Sequence, residues 1–447
     1  MSAAHFANVS RRLCYFRVLE DPRVSALKAQ WSGAQGFLHA MEGCSISWAI
    51  QGTRKEEAMN AEAAPEQSGF KRKLMANKKI VIIFVILIAI FLTCLLSLFA
   101  GYYYFSRVGD SRAPTWSPDG RFIAYRFNNL LFSQIAVMDS DGKNRRIVGQ
   151  CEGATSPVWS LDSTKIAFNC IIGYGPAPLY TRYQSIVIVG ADGSDRTQLI
   201  YGDWSNHSQQ WSPDGDAIVF VSNRDAEEPG PMDLMNWDIY LYRLIDGTIS
   251  RLTYGQYPDV NPAWSPDGAT IAYVSDLCGD GGTPVTVSGA DVCEGAIKII
   301  NLEGDLLSVM NGSGTSLSWS PDGSLISFSN GQRVYSIEVV SGKRAQLTPS
   351  DRNCCPHYAA FSPDGNRVIF ADKHDIDDDY EIYIINITEG STFQLTSNDT
   401  ADLSPAWSPD GSKIAFGSRS DQSLRWHIYT IAPDGSDLNC LTCMPWE

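Results

Sequence analysis

His207 and His357 occupy matching places, each four residues before an aromatic residue, Trp211 and Phe361. Imidazoles are metal ligands, but a metal centre also needs further donors converging at bonding distance. His374 and His427 are the other histidines beyond residue 101, and no tight histidine cluster accompanies any of the four. The densest acidic run is DKHDIDDDYE at 372–381, where Asp375, Asp377 and Asp379 alternate like the start of an oxygen-ligand calcium loop. The later glycine and bidentate glutamate of an EF-hand are missing, so a solvated loop is the favoured reading. Calcium is the one ion this run suits, and no other cofactor is expected.

Eight of the eleven cysteines follow residue 101, an even number that suggests disulfides in an extracytoplasmic domain. Cys278 and Cys293 bracket one segment and form the best pair; Cys151 and Cys170 come next. Cys354-Cys355 and the Cys-x-x-Cys at 440–443 are ambiguous. The latter spacing serves redox or metal chemistry elsewhere, but it lacks a βαβ setting, so a structural bridge is expected.

These residues hang on a repeat. PAWSPDGATIAY at 262–273 returns as PAWSPDGSKIAF at 405–416, and the phrase occurs seven times, at Trp116, Trp159, Trp211, Trp264, Trp319, Phe361 and Trp407. The steps are 43, 52, 53, 55, 42 and 46 residues. Each copy leads into an apolar strand, then a second turn signal such as Asp246-Gly247, then a short run such as QLT. Four strands per unit, seven times over, predict an all-β, seven-bladed β-propeller. In Ser-Pro-Asp-Gly the proline presets φ, the serine or aspartate caps the turn, and the glycine accepts the left-handed conformation. Copy two departs, with Leu161 for proline and Ser163 for glycine.

The Trp-Ser-Pro-Asp-Gly phrase, complete at 116, 211, 264, 319 and 407, resembles the TolB-type family of propeller repeats, distant relatives of the WD-repeat propellers. The resemblance covers 113–443. It implies an envelope role and a membrane-associated partner, although TolB is a released protein with a separate N-terminal domain and fewer blades. Oligogalacturonate lyases, built from this repeat type, hold a catalytic metal with three histidines and a glutamine. Of such a set only His207, His357 and Gln209 have counterparts. Propeller geometry puts both histidines at the upper channel mouth. Asp259 and Asp402, each five residues before a Trp, are expected to point there too, as binding residues or backbone caps. Long segments between strands two and three of blades 2, 3 and 4 are expected to form a raised wall of loops on the same face. Each blade is complete in sequence, so ring closure falls to packing between blades 1 and 7, helped by Cys440 or Cys443.

Residues 80–100 form an uncharged apolar run long enough to span a bilayer, preceded by Lys71, Arg72, Lys73, Lys78 and Lys79. The positive-inside rule then predicts a cytoplasmic tail at 1–78, with 1–74 either tail or an over-extended start. It predicts an uncleaved transmembrane helix at 79–101 and an extracytoplasmic propeller at 110–445, in a single-pass protein of the cell membrane. Residues 1–79 carry 12 Lys/Arg and 7 Asp/Glu, leaving 23 and 43 beyond, a net charge of −20. A basic face for nucleic acid is therefore lacking.

The function expected from these residues is a membrane-tethered scaffold binding an envelope or extracellular protein, or a glycan, and not an enzyme. A metal-dependent polysaccharide lyase is the alternative. A peptidase is set aside, because no Gly-x-Ser-x-Gly nucleophile elbow occurs and the chain ends four residues after Cys443.

Overall fold

The computed structural model describes residues 110–443, except 130–131, 175–180, 201–203, 226–236, 255–257, 276–283, 288–289, 294, 350–355, 374–378 and 420–424. The tail at 1–78 and the helix expected at 79–101 lie outside the described residues, among which no helix is long and apolar enough to cross a membrane.

Seven four-stranded antiparallel sheets follow one another along the chain. They span 110–151, 155–198, 206–251, 259–311, 315–346, 357–394 and 402–440, and define blades 1 to 7. The segment after each aromatic residue is buried on both faces. In blade 3, Ala217–Ser222 has no exposed residue. Ile218 and Phe220 pack on Ile186 and Ile188 of blade 2, while Val219 and Val221 pack towards Trp264 and Ile271 of blade 4. Flanking sheets on both sides account for a nearly continuous apolar run.

The repeated phrase does two jobs. In all seven turns the serine hydroxyl donates to the aspartate carboxylate at 2.5–2.6 Å. The aromatic residue then joins neighbours. Indole Nε1 donates to a carbonyl of the preceding blade from Trp159 to Thr115, Trp211 to Val158, Trp264 to Gln210 and Trp319 to Ala263, at 3.1–3.4 Å. Trp116 does the same to Ala406 across the seam, at 3.2 Å. Phe361 cannot donate, and Trp407 Nε1 is buried without a partner.

Blade 2 keeps the turn despite its altered sequence. Ser163 adopts φ 61°, and its hydroxyl accepts the Asp119 N–H of blade 1 at 3.1 Å. Leu161 is exposed at the position proline holds elsewhere. Leu161→Pro is expected to stabilise the protein by about 0.4–1 kcal/mol, by restricting the unfolded chain. A higher urea midpoint with an unchanged slope would show it.

The closing QLT-like runs have a structural reason. Thr253, Thr348, Thr396 and Thr442 Oγ1 accept the N–H of Ile239, Val334, Ile382 and Ile428 at 2.8–3.2 Å, tying the outermost strand's exit to the third strand. Among the described residues no strand is shared between blades 1 and 7. Trp116, Ile123, Tyr125 and Met138 of blade 1 close the ring by packing with Ala415, Ile428 and Leu441 of blade 7.

The expected wall of loops is in part sheet. Blade 2's segment extends two strands to ten residues each, Lys165–Tyr174 and Thr181–Gly190. Blade 4's forms a separate hairpin, Pro284–Val287 with Ala290–Cys293. The blade 3 segment at 226–236 lies outside the described residues.

Candidate functional site

The innermost strand of every blade carries a β-bulge, and the residue three before the aromatic has positive φ. Ala113, Ser156, Ser208, Asn261, Ser316, Tyr358 and Ser404 all lie at φ 50–60°. Register shifts mark the same place in each strand pair. The left-handed region costs non-glycine residues on the order of 1 kcal/mol or more each, and such bulges re-aim side chains beside functional sites. Pro114, Pro157, Pro262 and Pro405 follow immediately, where the bulge leaves no ladder N–H to supply. The bulge thus recurs at one position in all seven innermost strands.

The bulge sets a charged pair. Trp116 pairs with Ile123, yet four residues earlier Arg112 faces Arg126, where an unbroken register would offer Phe127. Like charges directly opposite are unfavourable. Burial, then Arg112 itself, lowers the Arg126 pKa. Arg126 Nε donates to Asn128 Oδ1 at 3.1 Å. Arg112 Nη2 lies 3.2 Å from the Asp110 carboxylate, its guanidinium is 4.6 Å from the Trp426 ring, and its Nε is buried without a partner. One nearby carboxylate thus serves two guanidiniums. Arg224, of blade 3, similarly lies 4.8 Å from the Tyr240 ring and 5.9 Å from that of the exposed Trp204.

His207 packs on Trp237 at 4.7 Å between ring centroids, and its Nδ1 is 2.9 Å from Ser208 Oγ. Burial pushes its pKa down to about 4, so the ring is neutral at pH 7. His357 sits 5.6 Å from the Tyr380 ring, and burial lowers its pKa also. Gln209 is buried, with Nε2 donating to Ser156 O at 2.6 Å, so its amide bridges two bulges. Among the described residues no third histidine, cysteine or carboxylate joins either histidine at ligand distance.

Asp259 and Asp402 do not project freely into the mouth; both are buried. Each instead meets a carboxylate that sequence reasoning missed. Asp402 lies beside Glu381, bridged by Asn398, whose N–H donates to Glu381 at 2.8 Å and whose Nδ2 donates to Asp402 at 2.9 Å. Thr396 donates to Glu381 at 2.5 Å. Burial raises Glu381 to about 7, with Asp402 adding to the effect. Asp259 lies near Asp238, which burial raises to about 6 despite Arg251 at 2.8 Å. Burial raises Asp259 and Asp402 as well. Asp238, Thr253, Asp259 and Ser275 repeat as Glu381, Thr396, Asp402 and Ser418 with identical spacings. That repetition was the available signal.

Cys151 and Cys170 are free thiols side by side, not a bridge. Cys440 and Cys443 form a disulfide. Cys278, Cys354, Cys355, His374, Asp375 and Asp377 lie outside the described residues, as does the side chain of Cys293, while Asp379 is exposed. Away from the mouth, a groove of about 680 Å³ lies between blades 2 and 3, with Lys165, Asp192, Tyr242 and Leu244 among its walls.

Seven four-stranded blades with a bulge in every innermost strand define a β-propeller protein. Residues 297–445 match the family model of the TolB beta propeller domain, and the chain is a TolB-like β-propeller. It is 28% identical over 199 residues to dipeptidyl-peptidase 5 of Porphyromonas gingivalis, covering 43% of this chain and 27% of that protein. It is 29% identical over 191 residues to a TolB homolog of Chlorobium luteolum, covering 40% and 36% respectively. The chain therefore spans about a quarter to a third of these relatives' lengths. A solved oligogalacturonate lyase in complex with manganese shares the fold, with TM-score 0.55 and 15% identity over 72% of this chain and 89% of that one. The expectation that the chain is not an enzyme is contradicted by its similarity to a dipeptidyl-peptidase.

Proposed function

We propose that the propeller is a recognition domain that takes a carboxylate-bearing peptide or protein segment at its upper channel mouth. Residues 79–101 hold it at the cell membrane with the blades outside. The observation that carries this reading is the Arg112–Arg126 pair, two guanidiniums directly opposite each other with Asp110 as near counter-charge. An arrangement that costs the empty protein energy gains it back when an anion binds, and arginine forks match carboxylates. Trp426 beside Arg112, and the exposed Trp204 and Tyr358, offer aromatic faces for a peptide's side chains. Similarity to a dipeptidyl-peptidase favours a peptide over a sugar acid, and in such a setting the propeller would present the segment for hydrolysis.

Arg126→Met tests the reading. The variant is expected to be about 0.2–1 kcal/mol more stable, since a like-charge pair is removed. Its affinity for acidic peptides, followed by fluorescence anisotropy, is expected to fall at least tenfold. Amidating the peptide carboxyl groups should weaken binding to the parent protein equally. Unchanged affinity in Arg126→Met would sink the proposal. Preferential binding of oligogalacturonate would replace peptide with glycan as the ligand.

A further inference from the structure

The chain's last described residues bring together a set of ligands that the proposed recognition role does not use. Thr430 pairs with Asn439 and Tyr429 with Cys440. Beyond that strand, Leu441 N–H donates to Ile428 O at 2.8 Å, and Thr442 Oγ1 accepts Ile428 N–H at 2.8 Å. This wraps the Cys440–Cys443 loop around the start of the third strand, where His427 stands. The ligand atoms of His427, Cys440 and Cys443 lie within 4.8 Å of one another, the one such trio among the described residues. His427 Nδ1 is 3.0 Å from the Thr442 carbonyl, which takes the ring N–H and leaves the other nitrogen's lone pair available. Metal-binding histidines are held in this way. Cys443 is exposed, and Cys440 and His427 are half-buried, so both a reductant and an ion can reach them.

We propose that His427, Cys440 and Cys443 form a redox-gated site for a zinc-class divalent transition metal. Oxidised, the two sulfurs are joined and the site is closed, as in this structure. A dithiol reductant transfers two electrons and two protons, becomes a disulfide itself and leaves two thiols. A divalent ion then displaces both thiol protons and takes two thiolates and one imidazole. Water fills the fourth position of the tetrahedron that such ligands favour. The hydroxyl of Tyr429, 3.4 Å from Cys443 Sγ, is placed to hydrogen-bond a thiolate there.

The position gives the site a consequence. Leu441, between the cysteines, packs in the blade 1–blade 7 cluster with Trp116 and Met138, and its carbonyl accepts the Arg145 guanidinium of blade 1. Disulfide and metal would be two ways of holding the loop that closes the ring. The reduced, metal-free form would hold it least.

The full-length chain, reduced with a dithiol, desalted without oxygen and titrated with cobalt(II), tests this. A near-ultraviolet thiolate-to-cobalt band is expected to saturate at one equivalent, to be absent before reduction and to be bleached by zinc. Cys151→Ser and Cys170→Ser should keep the band. Cys443→Ser should lose it, and His427→Ala, which leaves both cysteines in place, should weaken cobalt binding about 10–100-fold. Should Cys443→Ser fail to fold by circular dichroism, the His427→Ala titration decides alone. No band after reduction, or a band untouched by His427→Ala, would overturn the proposal.

Discussion

Trp116→Ala is expected to lower the unfolding free energy by about 3–5 kcal/mol, the usual cost of truncating a buried tryptophan. The position makes the loss global. Trp116 packs with residues of both terminal blades, and its indole donates to Ala406 across a seam where the described residues share no strand. A comparison separates the ring from the hydrogen bond. Trp116→Phe keeps most of the apolar contact but leaves the Ala406 carbonyl without this donor. Trp407→Phe removes an N–H that is already buried without a partner. Trp116→Phe is therefore expected to cost at least about 1 kcal/mol more than Trp407→Phe, since an unmade buried hydrogen bond carries a desolvation cost of that order. Chemical denaturation followed by circular dichroism would measure all three variants, and equal losses for the two Trp→Phe changes would contradict the clamp.

Glu381→Gln is expected to reshape the pH dependence of stability. The folded protein raises Glu381 from 4.5 to about 7, first through burial and then through the neighbouring Asp402 and Asp379. Between those values the folded state holds a proton that the unfolded state has released. Its contribution is fully present below pH 4.5 and is lost as pH rises through about 7. Glutamine stays neutral, so the variant escapes this loss. At pH 8 Glu381→Gln should gain on the order of 2–3 kcal/mol relative to the parent, and near pH 4 the difference should shrink towards zero. The turn aspartates have the opposite sense. Hydrogen bonds lower Asp322 and Asp410, so their contribution is lost only as pH falls below the ordinary carboxylate range. Comparing parent and variant at each pH cancels those terms and the buried histidines. A constant difference between pH 4 and 8 would show that folding leaves the Glu381 pKa unshifted.

Whatever closes within a few residues was legible in the sequence. Ser-Pro-Asp-Gly closes within five residues, because serine reaches aspartate two positions on and the backbone N–H five positions on. Seven such turns and four strands apiece therefore specify blades and their number. Even Leu161 and Ser163 leave the second turn intact, since Asp162 still accepts the Ser160 hydroxyl. His207 and His357 could be placed at equivalent positions on two blades for the same reason, as both are counted from the repeat.

Which side chains meet depends on how the sheets pack. Asp238 and Asp259, or Glu381 and Asp402, face one another across a blade boundary, and their burial comes from two sheets packing rather than from local sequence. Arg112 meets Arg126 because a bulge moves the register by one residue, and the sequence of the innermost strand does not announce it: alanine, serine, asparagine and tyrosine all occupy the left-handed position. The cysteines show the same limit. Spacing put Cys278 with Cys293 first and Cys151 with Cys170 next; the latter two are free thiols, whereas the bridge expected at Cys440 and Cys443 is formed. Turns are local hydrogen-bond chemistry, whereas the mouth of a propeller is assembled by seven sheets at once.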